Sequence, residues 1–367
     1  MRILAFHLLN NYTGSPKVLS QLIKIWRKEG FDVHIVTSLK NEGFLSNMSG
    51  ITYHANYYKF YNNPLSRFIS LLLSQTLVFF RLLFLVRPTD IIYINTILPF
   101  SAALVGKIKR CRVIYHLHET STRPVILKRF LMWVLKISAT DVVYVSEYLA
   151  DVEKVSEKRT YIIHNCIDDE FYNTAKEFIH CKTERKNVLM VSSLKAYKGV
   201  EEFIALSKLN PHLSFRLILS ASESDAKRFA KKAGNPVNVE VYGTTNNLHP
   251  HYQWADIVLN LSNSDRWIET FGLTVLEGMA YGLPAIVPPI GGISKLVEDD
   301  VTGYCISSKQ IEEISQKINF VLSDDNTYNR FSETASIKIE KYRESSFYGE
   351  NISVLNKECS KKNESIQ

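Results

Sequence analysis

Short apolar runs alternate with segments of helix length along most of the 367-residue chain. The runs predict buried parallel strands, and the longer segments between them predict crossover helices. In the first half, strands are expected at 2–8, 32–37, 90–95, 112–117, 141–145 and 160–163, and helices at 17–29, 65–86, 99–109 and 124–138. In the second half, strands are expected at 187–192, 214–219, 238–242, 256–261 and 284–287, and helices at 199–209, 223–233, 273–281, 309–323 and 326–343. This order predicts two doubly wound, Rossmann-like α/β domains.

The length also favours two domains, because a single core stops growing at about 250 residues. We expect an N-terminal domain at 1–167, a linker at the polar and weakly periodic segment 168–186, and a C-terminal domain at 187–345. Residues 346–367 are expected to form a helix or tail that is able to return to the first domain, with fraying after Cys359. Two doubly wound domains facing each other would place a ligand cleft at the carboxyl ends of their strands.

Composition excludes wholesale disorder, because 46% of the residues are hydrophobic and the mean hydropathy is −0.08. The five cysteines form no C-x-x-C pair, which argues against a disulfide framework or a zinc ribbon and fits a reducing compartment. The first residues are typical of a strand and not of a signal peptide. We therefore expect the mature protein to begin at or near Met1 and to stay in the cytoplasm.

The net charge of +7 belongs to the first half of the chain. Residues 59–136 contain 12 basic but only 2 acidic residues, and such a field attracts either nucleic acid or anionic lipid. Nucleic acid is not favoured, because no recognisable binding module accompanies the charge. The same segment contains the apolar stretch 65–86, which Arg81 and several polar residues interrupt, so a helix in the membrane interface fits better than a span. A buried helix with a solvated basic rim is an equal alternative.

The strongest candidate chemistry lies at 265–303, where Glu269 and Glu277 flank Phe271-Gly272-Leu273-Thr274. Gly272 allows close approach of the backbone, and the following helix N-terminus is able to bind phosphate. Carboxylates beside such an end are suited to hydrogen bonds with sugar hydroxyls. Taken alone, the two glutamates are better explained as complements of the helix dipole.

The spacing of these glutamates, followed by Gly282-Leu283-Pro284, Gly291-Gly292 and Gly303, resembles the signature of glycosyltransferase family 4 (glycosyl transferases group 1). The resemblance runs in register from Met1 to about Gly303. It implies the GT-B fold and α-retaining transfer of a sugar from a nucleotide diphosphate, with no metal or other cofactor expected. On this resemblance, Glu269 contacts the donor sugar near the reacting carbon and Glu277 contacts the nucleotide ribose. The backbone of Phe271, Gly272, Leu273 and Thr274 would hold the sugar hydroxyls and the diphosphate.

A second match is the strand, turn and Lys198-Gly199 at 191–199. The resemblance assigns Lys198 to the leaving diphosphate, where a positive charge stabilises the transition state. Family members usually have Gly-Arg where this chain has Ser192-Ser193, so one positive contact is missing and either Lys195 or Arg266 would have to replace it. The resemblance also places the nucleotide base near Tyr242 and Gly243, although core packing explains the tyrosine equally well.

In the first half, His116 and His118 end a strand and share one face of it. A metal site is not favoured, because no third ligand is suitably spaced. The resemblance makes His118 the histidine that contacts the sugar or its acceptor, with Glu119 beside it and His116 as a packed residue. It also makes Gly14 and Ser15, in the loop after the first strand, contacts of the diphosphate and acceptor.

We therefore expect a retaining glycosyltransferase that extends a polyprenyl-diphosphate-linked glycan in the synthesis of a bacterial O antigen, capsule or lipopolysaccharide. It would work in the cytoplasm, peripherally bound to the anionic inner face of the cell membrane, and would not bind nucleic acid. One alternative is another GT-B enzyme acting on a soluble sugar, such as an epimerase or a synthase. A second alternative is a non-catalytic membrane scaffold, which the missing arginine at Ser193 favours.

Overall fold

The computed structural model describes residues 1–39, 42–178 and 184–356. Two compact units divide the chain: unit 1 comprises Met1–His164 together with the residues from Phe347 onward, and unit 2 comprises Asn165–Ser346. Each unit is built around one sheet, and every strand pair in both sheets is parallel. Parallel sheets of this kind bind ligands at the carboxyl ends of their strands.

Within the described residues of unit 1, seven strands form a sheet of order β3-β2-β1-β4-β5-β6-β7. The chain leaves β1 towards one edge and returns at β4 towards the other, so the switch point lies between these two strands. The elements are β1 (Arg2–Phe6), α1 (Gly14–Lys28), β2 (Asp32–Thr37), β3 (Thr52–Ala55), α2 (Pro64–Leu85), β4 (Ile91–Asn95), α3 (Phe100–Ile108), β5 (Arg112–Leu117), α4 (Val125–Ser138), β6 (Asp141–Tyr144), α5 (Glu147–Val152) and β7 (Arg159–Ile162).

In unit 2, six strands of the described chain form a sheet of order β10-β9-β8-β11-β12-β13, with the switch point between β8 and β11. Its core lies between this sheet and its helices, with Phe203, Phe215 and Phe331 fully buried. The elements are α6 (Asp169–Lys176), β8 (Asn187–Ser193), α7 (Val200–Leu209), β9 (Ser214–Ser220), α8 (Glu223–Lys232), β10 (Val239–Tyr242), α9 (His249–Trp254), β11 (Ile257–Leu259), α10 (Leu273–Ala280), β12 (Ala285–Val287), β13 (Gly303–Cys305), α11 (Ile311–Ser323) and α12 (Asp325–Lys338).

The two predicted α/β domains are confirmed as two parallel-sheet units, with differences at element ends. Helix α1 begins at Gly14, whereas the prediction started it at residue 17, because Pro16 is tolerated in a first turn whose N–H groups have no intrahelical acceptor. The helix predicted at 326–343 ends as α12 at Lys338 and continues as a 3₁₀ turn over Ile339–Tyr342. Two short strands, β3 and β13, were not predicted.

The segment 168–186, predicted as a linker, contains helix α6 instead. Tyr172 and Ala175 of this helix are buried, and the Tyr172 ring lies 4.1 Å from the guanidinium of Arg343. The helix has only eight residues and two buried side chains, so its apolar pattern is too short to be recognised as helical in the sequence. Residues 179–183 of the predicted linker and the tail predicted after Cys359 lie outside the described residues.

The last described helix, α13 (Glu344–Asn356), belongs to unit 1 from Phe347 onward, and the buried side chain of Arg112 anchors its end there. This guanidinium donates to the carbonyl oxygens of Leu355 at 2.8 Å and Val354 at 2.6 Å. Its Nε donates to Asp141 at 2.9 Å. Since the last carbonyls of a helix have no intrahelical donors, Arg112 satisfies two of them and anchors the end of α13.

Candidate functional site

Lys198 and Glu269 form an ion pair at the carboxyl ends of two adjacent strands of unit 2. The distance between Lys198 Nζ and Glu269 Oε2 is 2.5 Å, and the two side chains are only 16% and 19% exposed. Lys198 ends a 3₁₀ turn after β8, while Glu269 lies between β11 and α10. Ser262 Oγ lies 3.3 Å from the same Glu269 oxygen and donates to it. The pair therefore occupies the switch point of the sheet, where parallel α/β sheets bind ligands.

An aromatic stack that sequence reasoning missed supports the lysine. The Trp267 ring stacks on Tyr197, with 5.2 Å between ring centroids and 19° between planes. Lys198 Nζ lies 5.0 Å from the Trp267 centroid, within the range of a cation–π contact. Trp267 Nε1 is buried and has no acceptor among the described residues. The indole thus holds the lysine ammonium from one side, and Glu269 holds it through an ion pair.

Helix α10 presents a free N-terminal turn beside this pair. Gly272 precedes the helix with a φ of +101°, and a Cβ on it would lie 2.6 Å from Ile293 Cγ1. No side chain of the described chain caps the turn, so the first N–H groups, including those of Leu273 and Thr274, remain available to an anion. Phe271 is buried, with its ring 5.8 Å from that of Tyr342. The structure thus brings Lys198, Glu269 and the predicted 271–274 backbone together.

Glu277 is buried inside unit 2, with 4% exposure. The Tyr252 hydroxyl of α9 lies 2.8 Å from Glu277 Oε2 and donates to it. Burial, and secondarily the Glu277 charge, raises the pKa of Tyr252 well above its usual value, so the phenol stays protonated. The carboxylate is held firmly in place, and its contact with a ribose stays a prediction.

Tyr242 and Gly243 lie at the end of β10, at the edge of the sheet and two strands away from β8. The Tyr242 hydroxyl donates to Glu240 at 3.2 Å. The Gly243 N–H donates to Glu223 at 2.9 Å, and a Cβ on this glycine would lie 2.8 Å from the same carboxylate oxygen. The two residues are therefore not beside the ion pair. Helix α9 contacts both Tyr242 and Glu277. The ring centroids of His251 and Tyr242 lie 5.4 Å apart, and the Tyr252 hydroxyl donates to Glu277.

The candidate histidine of unit 1, His118, is buried just after β5. Its Nε2 lies 2.8 Å from Oδ1 of Asn95, the last residue of β4. Burial, with smaller contributions from His116 and His7, lowers the pKa of His118 well below its usual value. His118 is thus a neutral imidazole at physiological pH.

Gly14 and Ser15 form the start of α1, with Gly14 exposed. The Ser15 carbonyl accepts a 3.0 Å hydrogen bond from Asn95 Nδ2, so one asparagine connects the predicted Gly14–Ser15 segment with His118. Sequence reasoning missed Asn95. The sequence marks Asn95 only as a polar residue at the end of an apolar strand, and this strand, β4, lies next to the switch point of the sheet.

The two neighbours of His118 differ in their surroundings. His116 is buried, its Nδ1 lies 2.9 Å from the Tyr93 hydroxyl, and burial lowers its pKa to about 3. Glu119 is half-buried, and desolvation raises its pKa to about 7. Over residues 1–39, 42–178 and 184–356, no group of three or more His, Cys, Asp and Glu side chains is arranged to hold a metal ion.

The position of the missing arginine carries no positive charge. Ser192 and Ser193 end β8 and are half-buried. Lys195 and Arg266, the two candidates to replace the arginine, are both exposed. Lys198 is consequently the cation that the structure places at Glu269.

Helix α2 of unit 1 presents an apolar outer face. Leu71, Val78 and Leu82 are buried, together with Ser74 and Gln75. Within the part of the chain that the structure describes, α2 is the one helix that is long and apolar enough to cross a membrane. Its most apolar 18-residue segment has a mean hydropathy of 2.0, and 28% of that segment is buried. Its exposed apolar residues are Leu65, Phe68, Ile69, Leu72, Leu73, Leu77, Phe80 and Phe84.

Two parallel α/β units, one with a lysine and a free helix N-terminus at its switch point, are typical of proteins that bind phosphorylated ligands. Comparison with known families makes this class specific. Residues 12–171 match the model of Glycosyltransferase Family 4, and residues 173–338 match that of Glycosyl transferases group 1. The chain belongs to glycosyltransferase family 4, as its motifs indicated, and its two units are those of the GT-B fold.

Similar proteins support this assignment. The poly(glycerol-phosphate) alpha-glucosyltransferase of Bacillus subtilis is 26% identical over 63% of this chain and 35% of its own length. The D-inositol 3-phosphate glycosyltransferase of Paenarthrobacter aurescens is 23% identical over 54% of each chain. The chain thus spans about a third to a half of the length of these relatives. The crystal structure of HepE from Anabaena in complex with UDP-glucose superposes with a TM-score of 0.78 at 19% identity, covering 97% of this chain and 100% of that chain.

Proposed function

We propose that the protein is a retaining α-glycosyltransferase that moves a sugar from a nucleotide diphosphate to a lipid-linked oligosaccharide of a bacterial surface polysaccharide. The observation that carries this proposal is the Lys198–Glu269 pair beside the free N-terminus of α10. A cation and a helix N-terminus suit a diphosphate, and the adjacent carboxylate suits sugar hydroxyls.

In the free protein, Lys198 and Glu269 neutralise each other. A donor would replace this contact with two others, in which the ammonium pairs with the diphosphate and the carboxylate accepts hydrogen bonds from the sugar. The lysine then faces the oxygen on which negative charge develops as the diphosphate leaves. Because Lys198 and the helix N-terminus supply this positive charge, the proposal requires no resident metal, and a chelator should leave turnover unchanged.

The transfer itself breaks the bond between the anomeric carbon and the diphosphate oxygen and forms a bond from that carbon to an acceptor hydroxyl. Attack from the face that the diphosphate leaves retains the configuration. The hydroxyl proton passes to the departing diphosphate, so no protein base is needed. Neutral His118 would contact the sugar or its acceptor by hydrogen bonding.

The outer face of α2 supports a lipid-linked acceptor, because an apolar surface of this kind suits the membrane interface. Helix α4 has a similar face, where Val125, Ile126 and Trp133 are exposed beside the exposed cation of Arg129. The basic excess of residues 59–136 adds attraction to anionic headgroups. We therefore place the protein at the cytoplasmic face of the cell membrane, peripherally bound through unit 1.

Donor binding is tested by thermal shift with a panel of UDP-, GDP- and dTDP-sugars. A ligand that binds the native state raises its stability by RT ln(1 + [L]/Kd), so the correct donor should raise the Tm selectively. Lys198→Met should remove that shift, while Lys208→Met, at an exposed lysine of α7, should keep it. A shift that survives in Lys198→Met would contradict the proposed site.

Membrane docking is tested by flotation with vesicles of phosphatidylcholine alone or with phosphatidylglycerol. Leu73→Glu, on the exposed face of α2, should abolish flotation, whereas Leu209→Glu, at an exposed leucine of unit 2, should not. Added salt should weaken binding to the anionic vesicles. Failure to float at any salt concentration would contradict docking, and resistance to alkaline extraction from membranes would indicate a span in place of peripheral binding.

A further inference from the structure

Asn95 makes three side-chain contacts from a fully buried position at the end of β4. Its Oδ1 lies 2.8 Å from His118 Nε2. Its Nδ2 lies 3.0 Å from the Ser15 carbonyl oxygen and 3.0 Å from His7 Nδ1. The amide has 0% exposure, so its hydrogen bonds must be made within the protein.

These partners determine which way the amide faces and which nitrogen of His118 carries the proton. A carbonyl oxygen only accepts, so the amide atom beside Ser15 O is the nitrogen, which has two protons to donate. The second proton points to His7 Nδ1, but the backbone carbonyl oxygen of Asn95 also lies 3.3 Å from that nitrogen, so these contacts do not fix the tautomer of His7. The amide oxygen faces His118 and only accepts, so His118 Nε2 must carry a proton.

His118 is consequently protonated on Nε2. Burial lowers the pKa of His7 to about 4 and that of His118 well below its usual value, which agrees with neutral rings. The titratable groups near His118 are His116, whose ring centroid lies 4.2 Å away, His7, which contacts the same Asn95 amide, and the next residue, Glu119. In this arrangement His118 Nδ1 holds the lone pair and is an acceptor.

We propose that Asn95 is a positioning residue for the transfer reaction, which fixes the tautomer and ring orientation of His118 and ties that ring to the first turn of α1 at Ser15. The proposal rests on the proposed function only for the contact of His118 with the substrate. It assigns the proton of His118 to Nε2 and the lone pair to Nδ1. It also predicts that a shift of the Gly14–Ser15 segment alters His118, because one amide holds both.

The direct test is a long-range ¹H–¹⁵N correlation spectrum of the histidine rings in the full chain without substrate. His118 should show the pattern of a neutral ring protonated on Nε2, from pH 6 to 8. A proton on His118 Nδ1, or a charged ring at pH 7, would overturn the proposal without any variant.

Two variants of Asn95 test whether its hydrogen bonds affect turnover. Asn95→Asp keeps the size and the acceptor but loses the donors and places a negative charge beside His118 Nε2, so the pKa of His118 should rise. Transfer should then gain an acid limb in its pH profile that the native protein lacks. Asn95→Leu removes every contact, and kcat should fall between ten- and about a hundredfold, the size expected when a reacting group is misplaced.

The matched control is Asn56→Asp, the same change at a buried asparagine of unit 1 that follows β3, three strands away from β4. It should keep the native tautomers and pH profile. If Asn95 were only structural, its variants would lower Tm while the pH profile and the His118 tautomer stayed native, and that result would overturn the proposal. Absence of transfer in the native protein with the expected tautomers would contradict the proposed function and leave the hydrogen-bond network intact.

Discussion

Lys198 and Glu269, 71 residues apart in the chain, form an ion pair of 2.5 Å in which both side chains are more than four-fifths buried. Two charges removed from water in this way depend on each other, because loss of one leaves the other uncompensated. The same two groups are those that a sugar diphosphate would need. The pair therefore holds both side chains ready in the free protein, at the switch point of unit 2.

Substitution of one partner should destabilise the protein more than substitution of both. Lys198→Met should lower the free energy of unfolding by about 2 kcal/mol, since it leaves the Glu269 charge buried and unpaired. The double variant Lys198→Met/Glu269→Gln should recover part of that loss. Urea unfolding of both single variants and of the double variant gives the interaction free energy between the two side chains. Additive effects of the two substitutions would show that the pair is not coupled.

Gly272→Ala should destabilise unit 2 and prevent donor binding. The glycine has a φ of +101°, and the added Cβ would lie 2.6 Å from Ile293 Cγ1, so both the backbone and the packing must shift. Gly234→Ala is the matched control, because its φ is +87° but nothing lies within 4 Å of the added Cβ. This control should lower the free energy of unfolding by about 1 kcal/mol, from backbone strain alone, and should bind the donor normally. Equal unfolding free energies for the two variants would contradict the close approach at Gly272.

Arg112→Ala should release the end of α13 from unit 1. The buried guanidinium loses its pair with Asp141 and its bonds to two helix carbonyls, and loss of one buried partner costs about 3–5 kcal/mol. Arg159→Ala removes the other arginine that contacts Asp141, but its side chain is 39% exposed, so the expected loss is below about 1 kcal/mol. Chemical unfolding measures the free energy of unfolding of both variants. Limited proteolysis should cleave α13 only in Arg112→Ala. Equal effects of the two variants would contradict the anchoring role.

The buried histidines should make the protein acid-sensitive. Burial lowers the pKa of His7 to about 4 and of His116 to about 3, so between pH 6.5 and 4 the unfolded chain binds more protons than the native state. Stability should therefore fall as the pH is lowered through this window. Urea midpoints measured between pH 8 and 4 test this. A midpoint that does not change from pH 6.5 to 5 in Glu119→Gln, where the raised pKa of Glu119 no longer opposes the histidines, would contradict it.

Glu119 should act in the opposite direction. Its pKa is raised to about 7 by burial, so the native state holds a proton that the unfolded chain has already lost above about pH 4.5. Its contribution to stability therefore declines as the pH rises from about 4.5 through 7. Glu119→Gln should remove this decline and stabilise the protein at pH 8 relative to the native chain. Glu147→Gln, at an exposed glutamate of α5, serves as the control.

The alternation of apolar runs was enough to predict two α/β units, because buried parallel strands are continuous and apolar. It missed β3 (Thr52–Ala55), a polar edge strand with little buried surface, and α6 (Asp169–Lys176), which is only eight residues long. The strand order was not predictable from local pattern, since neighbours such as β8 and β11 are far apart in the chain.

The site was recovered where a motif marked it and missed where only tertiary contacts did. Lys198 and Glu269 lie within recognisable motifs, although their direct contact depends on adjacent strands that the sequence does not show. Trp267 and Asn95 carry no motif, and their roles arise from ring stacking and from hydrogen bonds across the sheet. Tyr242 ends the strand that was predicted at 238–242, but this strand, β10, forms the edge of the sheet and lies two strands away from β8.

The most direct measurement is the release of nucleotide diphosphate, with a crude lipid acceptor, by the native chain and by Lys198→Met and Glu269→Gln. Lys208→Met and Glu201→Gln, at exposed residues of α7, control for the change of charge. We expect turnover by the native chain and by both controls, and a loss of at least about a hundredfold in each site variant, the size typical of a lost transition-state contact. Native turnover that survives both site variants, or no turnover by the native chain with any donor, would contradict the assignment of the ion pair to sugar transfer.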